Sequence, residues 1–187
     1  MLYDRAYLND PLSLPIHSAL GFLYTKLHRY DDAKEIYEKQ AELHPDHHWA
    51  YANLGKAYLF GGDAEQALIE IDKNPDNVFK AAGLVLAYTT LGREGEAQSV
   101  LQRLVSEYGS EFAMPVAGAY SWRGQKDEAF QALEKAFAKR DSNFAYVLGN
   151  NLFYPLKDDP RWAELLRKLN LLEYWQAMPP EYGGPAL

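Results

Sequence analysis

Apolar and polar positions along this chain recur at helical spacing inside a longer period. Four tyrosines, Tyr24, Tyr58, Tyr88 and Tyr120, stand 34, 30 and 32 residues apart. Four residues before each lies an aliphatic side chain: Leu20, Leu54, Leu84 and Val116. Nine residues after each lies an alanine, Ala33, Ala67, Ala97 and Ala129, and thirteen after each a large apolar residue, Tyr37, Ile71, Leu101 and Leu133. These offsets mark one buried stripe on each of two successive helices per copy. Gly62, Gly92 and Gly124 follow three of the tyrosines by four residues. Glycine there permits a left-handed backbone and ends the first helix. His28 holds that place in the first copy, which leaves its turn geometry open. Acidic residues open the second helix, Asp31 and Asp32, Glu65, Glu96, and Asp127 and Glu128, where the helix dipole favours negative charge. The alanine is small enough for two antiparallel helices to approach closely. The pattern predicts an all-α protein with helix pairs near residues 14–43, 49–73, 78–107 and 112–139.

The first two copies read His17-x2-Leu20-Gly21-x2-Tyr24…Ala33-x3-Tyr37…Pro45 and Tyr51-x2-Leu54-Gly55-x2-Tyr58…Ala67-x3-Ile71. Both resemble the tetratricopeptide repeat signature. The third and fourth copies have Val85 and Ala117 in place of the early glycine and keep the rest. The resemblance implies a right-handed superhelical solenoid of antiparallel helix pairs, tetratricopeptide-like, with four repeats over residues 14–143. The second copy is four residues short before Asn74-Pro75-Asp76. Its second helix is expected to be about one turn shorter.

The ends differ from the repeats. Tyr3, Ala6 and Pro11 have the spacing of the last part of a preceding repeat. Residues 1–13 are therefore expected to be a partial repeat, cut from a longer protein, with Leu2, Tyr3 and Ala6 as an exposed apolar edge; the alternative is a natural single-helix cap. Residues 144–172 are expected to cap the array. Within them Asp159 is an N-cap candidate, Pro160 suits the first helical position, and Trp162, Leu165, Leu166 and Leu169 form an apolar stripe. Residues 173–187, with Pro179-Pro180 and Gly183-Gly184-Pro185, read as a tail. The stretch from Asp127-Glu128-Ala129-Phe130 through Asp158-Asp159-Pro160-Arg161-Trp162 to Leu165-Leu166-Arg167-Lys168-Leu169 is similar to the closing segment of a group of bacterial multidomain signalling proteins. That likeness implies the C-terminal sensor or scaffold part of such a protein.

Composition narrows the function. The net charge is −7, from 19 basic and 26 acidic residues. An acidic chain is a poor partner for nucleic acid or an anionic membrane. There is no cysteine, which removes disulfides, zinc–thiolate sites and a cysteine nucleophile. No apolar run approaches the roughly 18 residues of a membrane span. The opening Met1-Leu2-Tyr3-Asp4-Arg5 is not a signal peptide. A cytoplasmic protein is expected, with the periplasm left open.

The expected activity is binding, not catalysis, and no cofactor is implied. In the family the chain resembles, the first helices line the groove that takes a peptide. By that resemblance the groove residues are Phe22, Lys26, Trp49, Lys56, Phe60, Phe79, Leu86, Met114 and Trp122, among smaller neighbours such as Ser18, Ala52, Ala82, Gly118 and Ser121. The competing reading packs these aromatics between helices or under the C-terminal segment. A carboxylate-gripping clamp found in some members does not match, because Ser18, Phe22 and Gly83 replace its polar or basic residues while Asn53 alone fits. His44, His47 and His48 form a cluster that could touch a transition metal. Beside Pro45-Asp46 they read better as a solvated loop, so no metal site is expected. The partner is a protein or peptide, and the rival is a structural module that self-associates as a homodimer or fills its groove with its own C-terminal segment.

Overall fold

The computed structural model describes residues 8–47 and 49–185. Every regular element among them is helical. Leu2, Tyr3, Ala6 and His48 lie outside the described residues, and with them the expected apolar edge. Contacts divide the chain into two compact units, residues 1–100 and 101–187.

The first unit holds α1 (Leu14–Lys26), α2 (Tyr30–Leu43), α3 (Ala50–Phe60), α4 (Ala64–Asp72), α5 (Val78–Thr90) and most of α6 (Glu94–Arg103). Each first helix ends in the same hydrogen-bonded turn. The carbonyl of Tyr24, Tyr58, Tyr88 or Tyr120 accepts the N–H of the residue five on, Arg29, Asp63, Arg93 or Gln125, at 2.9, 3.0, 2.9 and 2.9 Å. The residue before that donor is left-handed: His28, Gly62, Gly92 and Gly124 have φ of 57, 91, 69 and 72°. The left-handed residue also donates its own N–H to the carbonyl three before it, Thr25, Leu59, Thr89 or Ser121, and the two bonds satisfy carbonyls that a helix end leaves orphaned. His28 therefore makes the glycine-type turn without glycine, and its Nδ1 lies 2.8 Å from the Tyr30 hydroxyl. In the first and third copies the arginine after the turn covers the tyrosine ring, Arg29 at 4.5 Å and Arg93 at 4.6 Å, and pairs with Asp32 or Glu96.

The repeat alanines Ala33, Ala67, Ala97 and Ala129 are fully buried. Replacing Ala67 or Ala129 with Leu is expected to destabilise by roughly 1–3 kcal/mol through overpacking. A Glu35→Ala control on the exposed side of α2 should stay within about 0.5 kcal/mol. Equal urea midpoints for all three would contradict the assignment. Lys135, although exposed, is no neutral control: its Nζ donates to the Gly109 carbonyl at 2.5 Å.

Close helix approach explains two glycines. A Cβ on Gly55 would sit 2.3 Å from Ile71 Cγ1, and one on Gly83 would sit 3.1 Å from Ile71 Cγ2. Ile71, with no exposure, is thus seated between α3 and α5. The helix that carries it, α4, has 9 residues against 14 in α2, as the deletion in the second copy predicts. Asn77 then caps α5 by accepting the N–H groups of Phe79 and Lys80.

The second unit begins within α6, which runs on as a π-turn over Leu104–Tyr108, and continues with α7 (Ala113–Trp122) and α8 (Lys126–Ala138). Two 3-10 stretches follow, Ser142–Gly149 and Asn151–Leu156, then α9 (Pro160–Lys168) and α10 (Leu172–Gln176). Asp159 caps α9 by accepting the Arg161 N–H, with Pro160 at its start. Arg161 then reaches Asp127 at 2.8 Å and lies 4.3 Å from the centre of the Phe130 ring, while Lys168 meets Glu134 at 2.7 Å. These contacts give a physical reason for the Asp127–Phe130 and Arg161–Lys168 motifs to occur together. Residues 173–185, read from sequence as a tail, carry structure: Trp175 is buried and its Nε1 donates to the Gly183 carbonyl at 2.9 Å.

Candidate functional site

First helices supply the candidate surface, and their composition sets them apart. In the first unit, α1, α3 and α5 contain no Asp or Glu, while α2 carries Asp31, Asp32, Glu35, Glu38 and Glu42. The other second helices, α4 and α6, are acidic as well. The same holds in the second unit, where α7 has no acid and α8 has Asp127, Glu128 and Glu134. The dipole accounts for the acids in the first turns, Asp31, Asp32, Glu65, Glu94, Glu96, Asp127 and Glu128; the others lie farther along the same helices.

Of the predicted groove residues in the first unit, Phe22, Lys26, Trp49, Lys56, Phe60 and Phe79 are half-buried. Trp49 precedes α3 and meets Phe79 of α5 edge-on, ring centres 5.7 Å apart. It also meets His47, ring centres 4.3 Å apart. Phe60 closes α3 and lies 6.4 Å from the Tyr30 ring at the start of α2. Ser18 is held internally, its hydroxyl accepting from Gln40 Nε2 at 2.6 Å.

Three predicted residues are corrected. Ala52 and Leu86 are each 1% exposed and Met114 6%, so all three are core side chains and offer no open contact surface. A helix that is apolar nearly all round buries more than one stripe, and α5 and α7 are of that kind. In the second unit Trp122 is half-buried. Its neighbours Gly118 and Ser121, also predicted for the groove, are covered by the C-terminal segment. A Cβ on Gly118 would sit 3.0 Å from Leu152 Cδ1, and Ser121 Oγ donates to the Leu152 carbonyl at 2.6 Å.

Lys56 is the unusual charge. Among the described residues neither it nor Lys26 makes an ion pair or hydrogen bond, whereas Lys34, Lys73 and Lys80 each meet a carboxylate. Burial pushes the Lys56 ammonium down to about 8. The sign of the consequence follows from linkage. Between about pH 8 and the ordinary lysine value near 10.4 the unfolded chain holds the proton that the folded chain has lost, so stability rises with pH in that window. The tyrosines oppose this only near pH 10 and above: burial raises Tyr37, and the hydrogen bond to Glu38 takes Tyr58 to about 12. The urea midpoint is expected to climb from pH 8 to 9.5 in the parent and to stay level in Lys56→Met; a level parent curve would refute the enclosed ammonium.

Sequence reading missed a cavity of about 400 Å³ in the second unit, lined by Val105, Ser106, Gly109, Val116, Tyr120 and Lys135 among others. The π-turn forms one wall, and no spacing rule in the sequence announces a π-turn. His44 Nε2 lies 3.3 Å from the Leu12 carbonyl, within reach of a backbone hydrogen bond. Among the described residues no group of three His, Asp or Glu side chains could hold a metal ion, and no helix is long and apolar enough to cross a membrane.

Residues 24–77 match the tetratricopeptide repeat family. Among solved structures, MamA is similar with a TM-score of 0.51 at 23% identity, over 77% of this chain and 88% of its own. A tetratricopeptide repeat protein from Parabacteroides merdae ATCC 43184 is similar with a TM-score of 0.56 at 22% identity, over 92% of this chain and 70% of its own. No curated protein matches the sequence. The repeats and these likenesses establish the fold as a tetratricopeptide-like helical solenoid.

Proposed function

We propose that this chain is a scaffold that binds a protein or peptide segment on the first-helix face of its first unit. Tetratricopeptide folds in general mediate protein or peptide binding, which is the coarse part of this reading. The observation that carries the finer part is the half-buried Trp49–Phe79 pair between α3 and α5, on helices free of acid, in a chain whose second helices are all acidic. Rigid aromatic side chains offer large contact area at low entropic cost and often dominate binding. The likeness of residues 127–169 to the closing segment of bacterial signalling proteins extends the proposal to a sensor or scaffold role in signalling.

A second reading has its own support. Leu152 seated on Gly118 and Ser121 shows that in the second unit a first helix is already covered by the chain itself. Under that reading the module is structural. Selection from a displayed library of random 12-residue peptides separates the two. The scaffold reading expects the intact chain to retain binders. Failure to retain any, with a stable dimer by light scattering, would favour self-association.

A further inference from the structure

We infer that the segment bound by the first-helix face is acidic, with Lys56 receiving one of its carboxylates beside the Trp49–Phe79 pair; this rests on that face being the recognition surface proposed above. Charge is segregated across the first unit. Its first helices carry Lys26, Lys56 and Lys80 and no acid, while its second helices and turns carry the acidic excess. An anionic segment is therefore attracted to one face and repelled from the other, and both effects set specificity. Lys80 is already answered by Asp72 at 3.0 Å. Lys56 meets no carboxylate among the described residues, although acid outnumbers base in the chain. A half-buried ammonium left unanswered is costly to the free protein, and a ligand carboxylate would answer it.

The spacing defines the ligand. Lys56 lies seven residues after Trp49 and four before Phe60 on the same side of α3. At about 1.5 Å per residue the aromatic and cationic ends are roughly 10 Å apart. An extended segment covers that with about three residues at roughly 3.3 Å each. The fitting motif is an apolar or aromatic side chain with Asp or Glu about three residues away.

The test uses the intact chain and random 12-residue displayed peptides, selected in parallel on the parent and on Lys56→Met. Parent-selected peptides should be enriched in Asp or Glu near an aromatic residue. Their affinity should fall about tenfold or more when those acids become Asn or Gln, or when the protein carries Lys56→Met, and should be retained in Lys56→Arg. Lys56→Met should melt no lower than the parent, which separates lost recognition from lost folding. Peptides with no acidic enrichment that still depend on Trp49 would overturn this inference and leave the recognition surface standing. Peptides indifferent to both Trp49 and Lys56, no retained peptides at all, or a dimer that buries this face would overturn both.

Discussion

Ile71→Ala is expected to cost roughly 2–5 kcal/mol, the range for emptying a fully buried aliphatic site. Ile71 has no exposure and meets α3 at Gly55 and α5 at Gly83, so its removal leaves a void shared by three helices. Neither glycine has a side chain to fill it. A loss of that size is a large fraction of the roughly 5–15 kcal/mol that holds a typical domain. Ile69 on the same helix is 54% exposed and provides the control, since Ile69→Ala removes the same atoms from solvent and should stay within about 0.5 kcal/mol. Urea denaturation followed by circular dichroism reads both. Equal losses would mean that Ile71 is not the contact between these helices.

The second large effect is on binding. Trp49→Ala combined with Phe79→Ala should weaken a selected peptide by more than ~2 kcal/mol, about thirtyfold, while the helical signal is kept. The two rings touch each other edge-on and remain half-buried, so each is held in place yet keeps surface for a partner. Trp122 does not join this test, because it belongs to the second unit. If the double variant unfolds, the pair is core and the face between α3 and α5 is not a recognition surface.

Much of the fold was legible because it rests on short-range rules. The Tyr–x3–Gly interval announced the helix-ending turn, and the left-handed Gly62, Gly92 and Gly124 occupy it. Asp159-Pro160 announced the start of α9. His28 was harder, since the penalty of a left-handed non-glycine residue is weighed against the whole turn, which forms regardless. The candidate surface was legible only in part. Helical spacing marks which residues share a face but does not say what covers that face. Leu86 and Met114 sit at positions assigned to the groove and are buried, and Gly118 and Ser121 are covered by Leu152, more than thirty residues on. Proline and glycine suggested a tail over residues 173–187, and spacing gave no sign that buried Trp175 donates to the Gly183 carbonyl. That Lys56 meets no carboxylate among the described residues could have been suspected from the lack of acid in α3, but it also depends on which helices pack beside it.

The most direct test of the recognition surface is amide chemical-shift mapping of the isotope-labelled chain on titration with a library-selected peptide. The account predicts shifts concentrated on α3 and α5, around Trp49, Lys56, Phe79 and Ala82, with the exposed side of α2 around Glu35 unchanged. Shifts concentrated on α2 and α4, or confined to the cavity beside the π-turn at Val105 and Tyr120, would contradict it.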